Sequence, residues 1–92
     1  MQPYHLSAEF VDPDAERSLL VALAQKPDLY FTVIDFLAPE TFAVLPTEFE
    51  AIAAAIEDHQ PPPSVEGIPA QDPLATAKRL GDLYQRRLLA GS

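Results

Sequence analysis

The sequence predicts an all-α protein, a small bundle of four to six helices. Apolar side chains recur at spacings of three and four residues through most of the chain, which is the period of one helix face. The pairs Asp12–Pro13 and Asp72–Pro73 are typical of helix starts, because aspartate caps the first N–H groups and proline needs no donor there. Hydrophobic residues make up 48% of the 92 residues, so we expect the chain to fold around a core.

The first predicted helix follows an N-terminal arm, residues 1–11, whose polar residues and proline oppose a long helix. The helix opens at Asp12 and stops ahead of Pro27, because proline disfavours helical geometry in the residue before it. Its spacing places four apolar side chains on one inner face: Ala15, Leu19, Ala22 and Leu23.

The second predicted helix opens at Pro27–Asp28 in the same way and runs to Leu37. Its inner face carries Tyr30 and Val33, and Phe31 and Phe36 widen that face, so we expect burial on more than one side. A strand over 29–37 is the weaker alternative, since this stretch is rich in strand-forming residues. Prolines at both ends and the helical spacing favour the helix.

The third predicted helix starts with a capping box, in which the Thr47 hydroxyl and the Glu50 carboxylate would satisfy each other's backbone N–H groups. The helix ends near His59, before three consecutive prolines. Together the three helices and the turn between them supply the predicted core of this 12–60 region: Leu19, Leu23, Val33, Ile34, Leu37, Phe42, Phe49, Ile52 and Ile56.

A proline-rich linker or surface loop, residues 61–72, precedes a predicted C-terminal helix over 73–92. Gly81 inside that helix suggests close packing or a weak point. We expect this helix to be incompletely buried within one copy of the chain and to carry the contact with a partner. The predicted protein-interaction residues are Leu80, Leu83, Tyr84, Arg86, Arg87 and Leu88.

The charge is strongly acidic and unevenly distributed. The net charge is −8; residues 1–77 carry two basic and thirteen acidic side chains, whereas residues 78–92 carry four basic and one acidic. Nucleic acid is a polyanion, so we expect direct binding to it to be weak or absent. An acidic body with a basic end suits a basic protein surface or contact between copies of the chain, although solvated helix faces would give the same pattern.

The composition argues against an enzyme, a cofactor site and a metal site. The absence of cysteine excludes a thiol nucleophile, and three glycines in all exclude a phosphate-binding loop and a dinucleotide motif. Residues 57–59 (Glu-Asp-His) point in different directions on a helix, and Glu50 is explained by capping more simply than by catalysis. No apolar run approaches the about 18 residues of a membrane helix, and no secretory signal is present, so we expect a cytoplasmic protein.

Residues 12–58 resemble the N-terminal domain of DnaB-type replicative DNA helicases. The family's Glu-Ala-Glu-x-x-x-Leu-Gly-x-Leu-Leu pattern corresponds to residues 14–23 (Asp-Ala-Glu-Arg-Ser-Leu-Leu-Val-Ala-Leu), with Val21 at the usual glycine. Its Leu-x-Pro-Glu-Asp-Phe motif corresponds to residues 37–42 (Leu-Ala-Pro-Glu-Thr-Phe), and its next helix to residues 49–56. Residues 74–90 are similar to the start of the helical hairpin that follows this domain.

The resemblance implies an all-helical, non-catalytic module that pairs with other copies in the collar of a helicase ring and recruits primase or a helicase loader. The ATPase domain that this module would accompany is not in the chain. The alternative is a free-standing acidic adaptor or inhibitor that binds a basic protein partner. A small enzyme is the third hypothesis, and it would need a cleft in which carboxylates meet.

Overall fold

The chain forms a bundle of four α-helices, with no strand among residues 11–90, the part that the structure describes. The structure is a computed structural model. The helices are α1 (Pro13–Gln25), α2 (Leu29–Val33), α3 (Pro46–Glu57) and α4 (Pro73–Ala90), with 3₁₀ turns at Ile34–Phe36 and Pro39–Thr41. The predicted all-α class is confirmed. The predicted N-terminal arm lies outside the described residues except for Val11.

Helix α1 is the central element of the bundle. Residues 19–23 (Leu-Leu-Val-Ala-Leu) are all at most 3% exposed, and α1 contacts each of the other three α-helices. The predicted single inner face covers only part of this burial, because Leu20 and Val21 are buried as well. A helix surrounded by neighbours on several sides is apolar over most of its circumference.

The core contains the predicted residues and a further set from α4. Eight of the nine predicted core residues are buried, and Ile34 is partly buried against the same cluster. The additional members are Ala77, Leu80 and Leu83, which α4 places against α1 and the α2 region. Helix α4 is therefore part of the same hydrophobic core as the first three helices.

The start of α1 confirms the role predicted for Asp12. Its Oδ1 accepts a hydrogen bond from the Ala15 N–H at 3.0 Å, and Pro13 occupies the first helical position. The other carboxylate oxygen, Oδ2, accepts from Nε of Arg79 on α4 at 3.0 Å. The Ala15 N–H and the Arg79 guanidinium lower the pKa of Asp12, because both stabilise the charged carboxylate. Partial burial raises this pKa, but its effect is smaller than theirs combined.

Helix α2 is shorter than predicted, and its aromatic residues are placed differently. The α-helix covers five residues and tightens into a 3₁₀ turn at Ile34, and Asp28 makes no side-chain cap. Tyr30 and Val33 are buried as predicted, but Phe31 is 60% and Phe36 39% exposed. The expectation that these two rings widen the inner face is wrong, because α2 contacts the bundle on one side only and the 3₁₀ turn changes the direction of the residues after Val33.

The start of α3 differs from the predicted capping box. The helix begins at Pro46 with Leu45 as the N-cap residue, and no side chain caps it. Thr47 lies one residue inside the helix, so the prediction that it caps with Glu50 is wrong. Pro46 at the first helical position has no N–H to satisfy, and the helix starts two residues earlier than predicted, with Leu45 as the N-cap residue.

The buried carboxylate of Glu16 on α1 binds the backbone just before α3. Its Oε2 accepts from the Ala43 N–H at 3.1 Å, and its Oε1 accepts from the N–H groups of Val44 and Leu45, both at 2.9 Å. Glu16 is 0% exposed. Three backbone donors compensate the loss of hydration of the charge, so this residue joins α1 to the turn that leads into α3.

The proline-rich segment folds back along α1. The Ala70 N–H donates to the Ser18 carbonyl at 2.9 Å, and Val65 packs against the core. Gly67 has a φ of +138°, and a Cβ at that position would lie 3.4 Å from Cγ2 of Val21. Of the two predicted alternatives, linker or surface loop, the surface loop is the one observed.

Replacing Gly67 with alanine should lower the free energy of unfolding by about 1–3 kcal/mol, because an L-residue is strained at this φ whatever space is available. Urea denaturation followed by circular dichroism measures the change. Ser64→Ala, at an exposed position of the same loop, is the matched control and should leave the midpoint unchanged. Equal midpoints for Gly67→Ala and wild type would contradict the backbone conformation described for Gly67.

Candidate functional site

The six predicted interaction residues divide between the core and the surface of α4. Leu80 is 1% and Leu83 7% exposed, and both pack in the core. Their burial leaves little of either side chain for the predicted contact with a partner, because one face of α4 covers α1 and the α2 region within the same chain. The helical period that places Leu80 and Leu83 on one face fits core packing as well as docking.

Arg87 connects the last turn of α4 to the second 3₁₀ turn. Its Nη2 donates to the carbonyl oxygens of Thr41 at 3.0 Å and Glu40 at 3.3 Å. Its guanidinium carbon lies 5.6 Å from the centroid of the Tyr84 ring, and Tyr84 is half-buried. Both residues thus have contacts within the chain that fix the position of the end of α4.

The remaining predicted residues are exposed at the end of α4. Leu88 is 49% exposed, and Leu89, which the prediction omitted, is 76% exposed. Nε of Arg86 pairs with Oδ2 of Asp82 at 2.9 Å, and both side chains are well exposed to solvent. We refer to Arg86, Leu88 and Leu89 as the α4 end; it presents two exposed apolar side chains, and Leu89 lies one helical turn from the positive charge of Arg86.

Phe31 and Phe36 are two further exposed apolar side chains, although sequence reasoning assigned both to the core. The Phe31 ring packs edge-on against Tyr30, with 5.4 Å between centroids, and the Lys78 ammonium lies 5.5 Å from the Phe36 ring centroid. The only hint of this exposure in the sequence was Lys78 on α4, because an ammonium group can lie over an aromatic ring that remains at the surface. Only the packing of α4 beside the first 3₁₀ turn shows which ring it meets.

A groove of about 370 Å³ separates the α2 region from α3. Its accessible lining is mainly apolar and includes Ile34, Pro39, Ala53 and Ala54. Two exposed carboxylates of α3, Glu50 and Glu57, complete it. We call this the α2–α3 groove; its chemistry suits an apolar side chain accompanied by a positive charge.

Tyr30 binds one of these carboxylates from inside the bundle. Its hydroxyl donates a hydrogen bond to Oε2 of Glu57, and the residue is only 4% exposed. Burial raises the pKa of Tyr30 to about 12 from its usual value of 10.0, and the bond to the Glu57 carboxylate acts in the same direction. The neutral phenol is thus the form that the folded protein favours.

The raised pKa of Tyr30 predicts a loss of stability in strong alkali. The unfolded chain releases the phenolic proton near pH 10, and the folded chain only near pH 12. The stabilisation is therefore fully present below pH 10 and is lost as the pH rises from 10 to 12. Urea midpoints measured across this interval should fall less for Tyr30→Phe than for wild type. An equal fall in the Tyr30 variant and in wild type would contradict the prediction.

An open cleft of about 870 Å³ lies between the start of α1 and the loop that precedes α4. Its charged lining includes Asp12 and Arg79, which neutralise each other as an ion pair. Within residues 11–90, no group of three or more histidine, cysteine, aspartate or glutamate side chains is placed to hold a metal ion. The buried carboxylate Glu16 is occupied by backbone donors. Among the described features, the α4 end, the exposed rings of Phe31 and Phe36 and the α2–α3 groove are therefore the surfaces to consider for binding.

No helix among the described residues is both long and apolar enough to cross a membrane. Comparisons of the chain with protein-family models, with curated protein sequences and with solved structures gave no match.

Proposed function

We propose that the chain is a non-catalytic protein-interaction and oligomerisation module of a cytoplasmic replicative DNA helicase, a collar domain that recruits primase or a helicase loader. The observation that carries the proposal is the α4 end, where Leu88 and Leu89 are exposed and Leu89 lies one helical turn from Arg86, on a domain of net charge −8. Exposed apolar side chains beside a charge are typical of protein contact sites.

The structural roles of the helicase-like motifs support the proposal. Glu16, in the first motif, binds the backbone just after the second motif, residues 37–42. Within the second motif, Leu37 and Phe42 are buried, and the Thr41 hydroxyl accepts from the Ala38 N–H at 3.0 Å. Both motifs thus serve one packing arrangement of α1 and the turn before α3, which is what a shared fold requires.

Light scattering during gel filtration tests the oligomerisation part. We expect a mass above the 10.1 kDa of one chain that rises with protein concentration. A strict monomer at high concentration would count against the collar. Titration calorimetry with purified primase, helicase loader and helicase ATPase domain tests recruitment, and we expect saturable binding to at least one of them.

The alternative function is a free-standing acidic adaptor or inhibitor that binds a basic protein. Exposed acidic side chains on and just after α3 favour it: Glu48, Glu50, Glu57 and Asp58. The reading frame distinguishes the two functions. A frame that continues into a phosphate-loop domain supports the collar, whereas a stop codon directly after Ser92 supports the adaptor.

A further inference from the structure

We propose that the α4 end of one copy docks in the α2–α3 groove of a second copy, and that two copies exchange this contact reciprocally. The inference deepens the proposed self-association and rests on it. The two surfaces complement each other in chemistry. The groove is lined by Ile34, Pro39, Ala53 and Ala54 with two carboxylates beside them, and the α4 end offers Leu89 with Arg86 one helical turn away.

The groove does not receive the α4 end of its own chain. Leu89 is 76% exposed, and contacts from Arg87 to the carbonyl oxygens of residues 40 and 41 hold the last turn of α4 beside the second 3₁₀ turn. The occupant that we assign to the groove is therefore the α4 end of a second copy. Its apolar and basic side chains complement the apolar lining and the carboxylates of the groove. Opposite charges across the contact orient the two chains.

The position of the two surfaces makes a two-fold arrangement possible. Pro39, at the start of the second 3₁₀ turn, lines the groove, and Arg87 binds the end of the same turn. The groove and the α4 end thus lie at the same region of one copy, on either side of residues 39–41. In a two-fold dimer each copy contributes both surfaces, so the pair of contacts closes without forming a chain of molecules.

Arg86 can change its partner at small cost. Its present pair with Asp82 spans one helical turn, and the side chains of Arg86 and Asp82 are 58% and 61% exposed. Ion pairs of this kind contribute little in water. A carboxylate in a groove that loses water on docking attracts a guanidinium more strongly than an exposed one does. Glu50, which makes no part of the Tyr30 contact, is the carboxylate that we assign to Arg86.

The apolar half of the contact is tested with Leu89→Asp in the full 92-residue chain. Sedimentation equilibrium over a range of concentrations should show a dimer for wild type and a dissociation constant raised by roughly tenfold or more for the variant. Ile68→Asp is the matched control, because Ile68 is 83% exposed in the loop before α4, and it should associate as wild type does. Circular dichroism verifies that each variant folds.

The charged half is tested by a charge exchange. Glu50→Arg and Arg86→Glu should each weaken the dimer, and the double variant should recover most of the lost affinity, since the pair is restored with its signs reversed. Glu48→Arg makes the same charge change on α3 outside the groove and should have little effect. Rescue by the double variant, together with the Leu89 result, supports the reciprocal contact.

The outcomes separate this inference from the proposed function. Equal effects of Leu89→Asp and Ile68→Asp on the dissociation constant would overturn the reciprocal contact. So would a charge exchange in which the double variant recovers no affinity. In either case the chains would associate through another surface. A monomer at every concentration overturns both.

Discussion

Replacing Glu16 with alanine is expected to lower the free energy of unfolding by about 3 kcal/mol, the largest effect that we expect of a single polar residue among residues 11–90. The carboxylate is 0% exposed and accepts hydrogen bonds from three consecutive backbone N–H groups, those of residues 43–45. Bonds to a charged acceptor are stronger than neutral ones, and their loss leaves three donors without a protein partner. The truncated side chain also leaves a cavity beside the core.

Thermal and urea denaturation measure this loss, and a fall of about 15 °C in Tm corresponds to it for a domain of this size. Glu16→Gln should fall between the alanine variant and wild type, because the amide keeps one acceptor oxygen but turns an N–H₂ group toward backbone donors. Asp14→Ala is the matched control, since Asp14 is an exposed acid in the first turn of the same helix. It should cost less than about 1 kcal/mol. Similar losses for the alanine variants of residues 14 and 16 would show that the buried hydrogen bonds do not stabilise the fold.

Leu80→Ala is expected to destabilise the chain by about 2–5 kcal/mol. Leu80 is 1% exposed and packs in the core that α4 shares with α1. Its truncation removes apolar area from the core and leaves a cavity that surrounding helices fill only in part. The expected result is a lower urea midpoint with an unchanged dissociation constant for self-association, measured under conditions where the variant is folded.

Leu88→Ala, two turns further along α4, is the control for this prediction. Leu88 is 49% exposed, so its truncation should change the free energy of unfolding by less than about 1 kcal/mol. If Leu80→Ala left stability unchanged but weakened self-association, Leu80 would be a contact residue, as first predicted from the sequence. That result would also contradict the burial of α4 in the bundle.

Local signals predicted the helices well. Asp12 and Pro13 start α1, Pro27 follows its end, and the apolar spacing from Phe49 to Ile56 marks the inner face of α3. These signals act between residues within one or two turns, so the sequence alone is sufficient to interpret them. The capping box failed where two local signals competed, since Pro46 at the first helical position displaced the start expected at Thr47.

The candidate site was predicted less well. The sequence located Arg86 and Leu88 near an exposed helix end, but it placed Leu80 and Leu83 on the surface and the rings of Phe31 and Phe36 in the core. An apolar helix face indicates that the face is covered. It does not indicate whether another helix of the same chain or a partner covers it. No local pattern indicates that the α2–α3 groove lies beside the end of α4.

The amino-acid sequence by itself determined the all-α class, the helix boundaries set by proline and aspartate, and most of the core, because these depend on short-range geometry and on apolar period. Tertiary structure alone decided the use of Glu16, whose donors lie 27–29 residues further along the chain. It also decided that α4 covers the core with Leu80 and Leu83 and exposes Leu89. The reason is that burial and hydrogen-bond partners at such separations depend on how complete helices pack together.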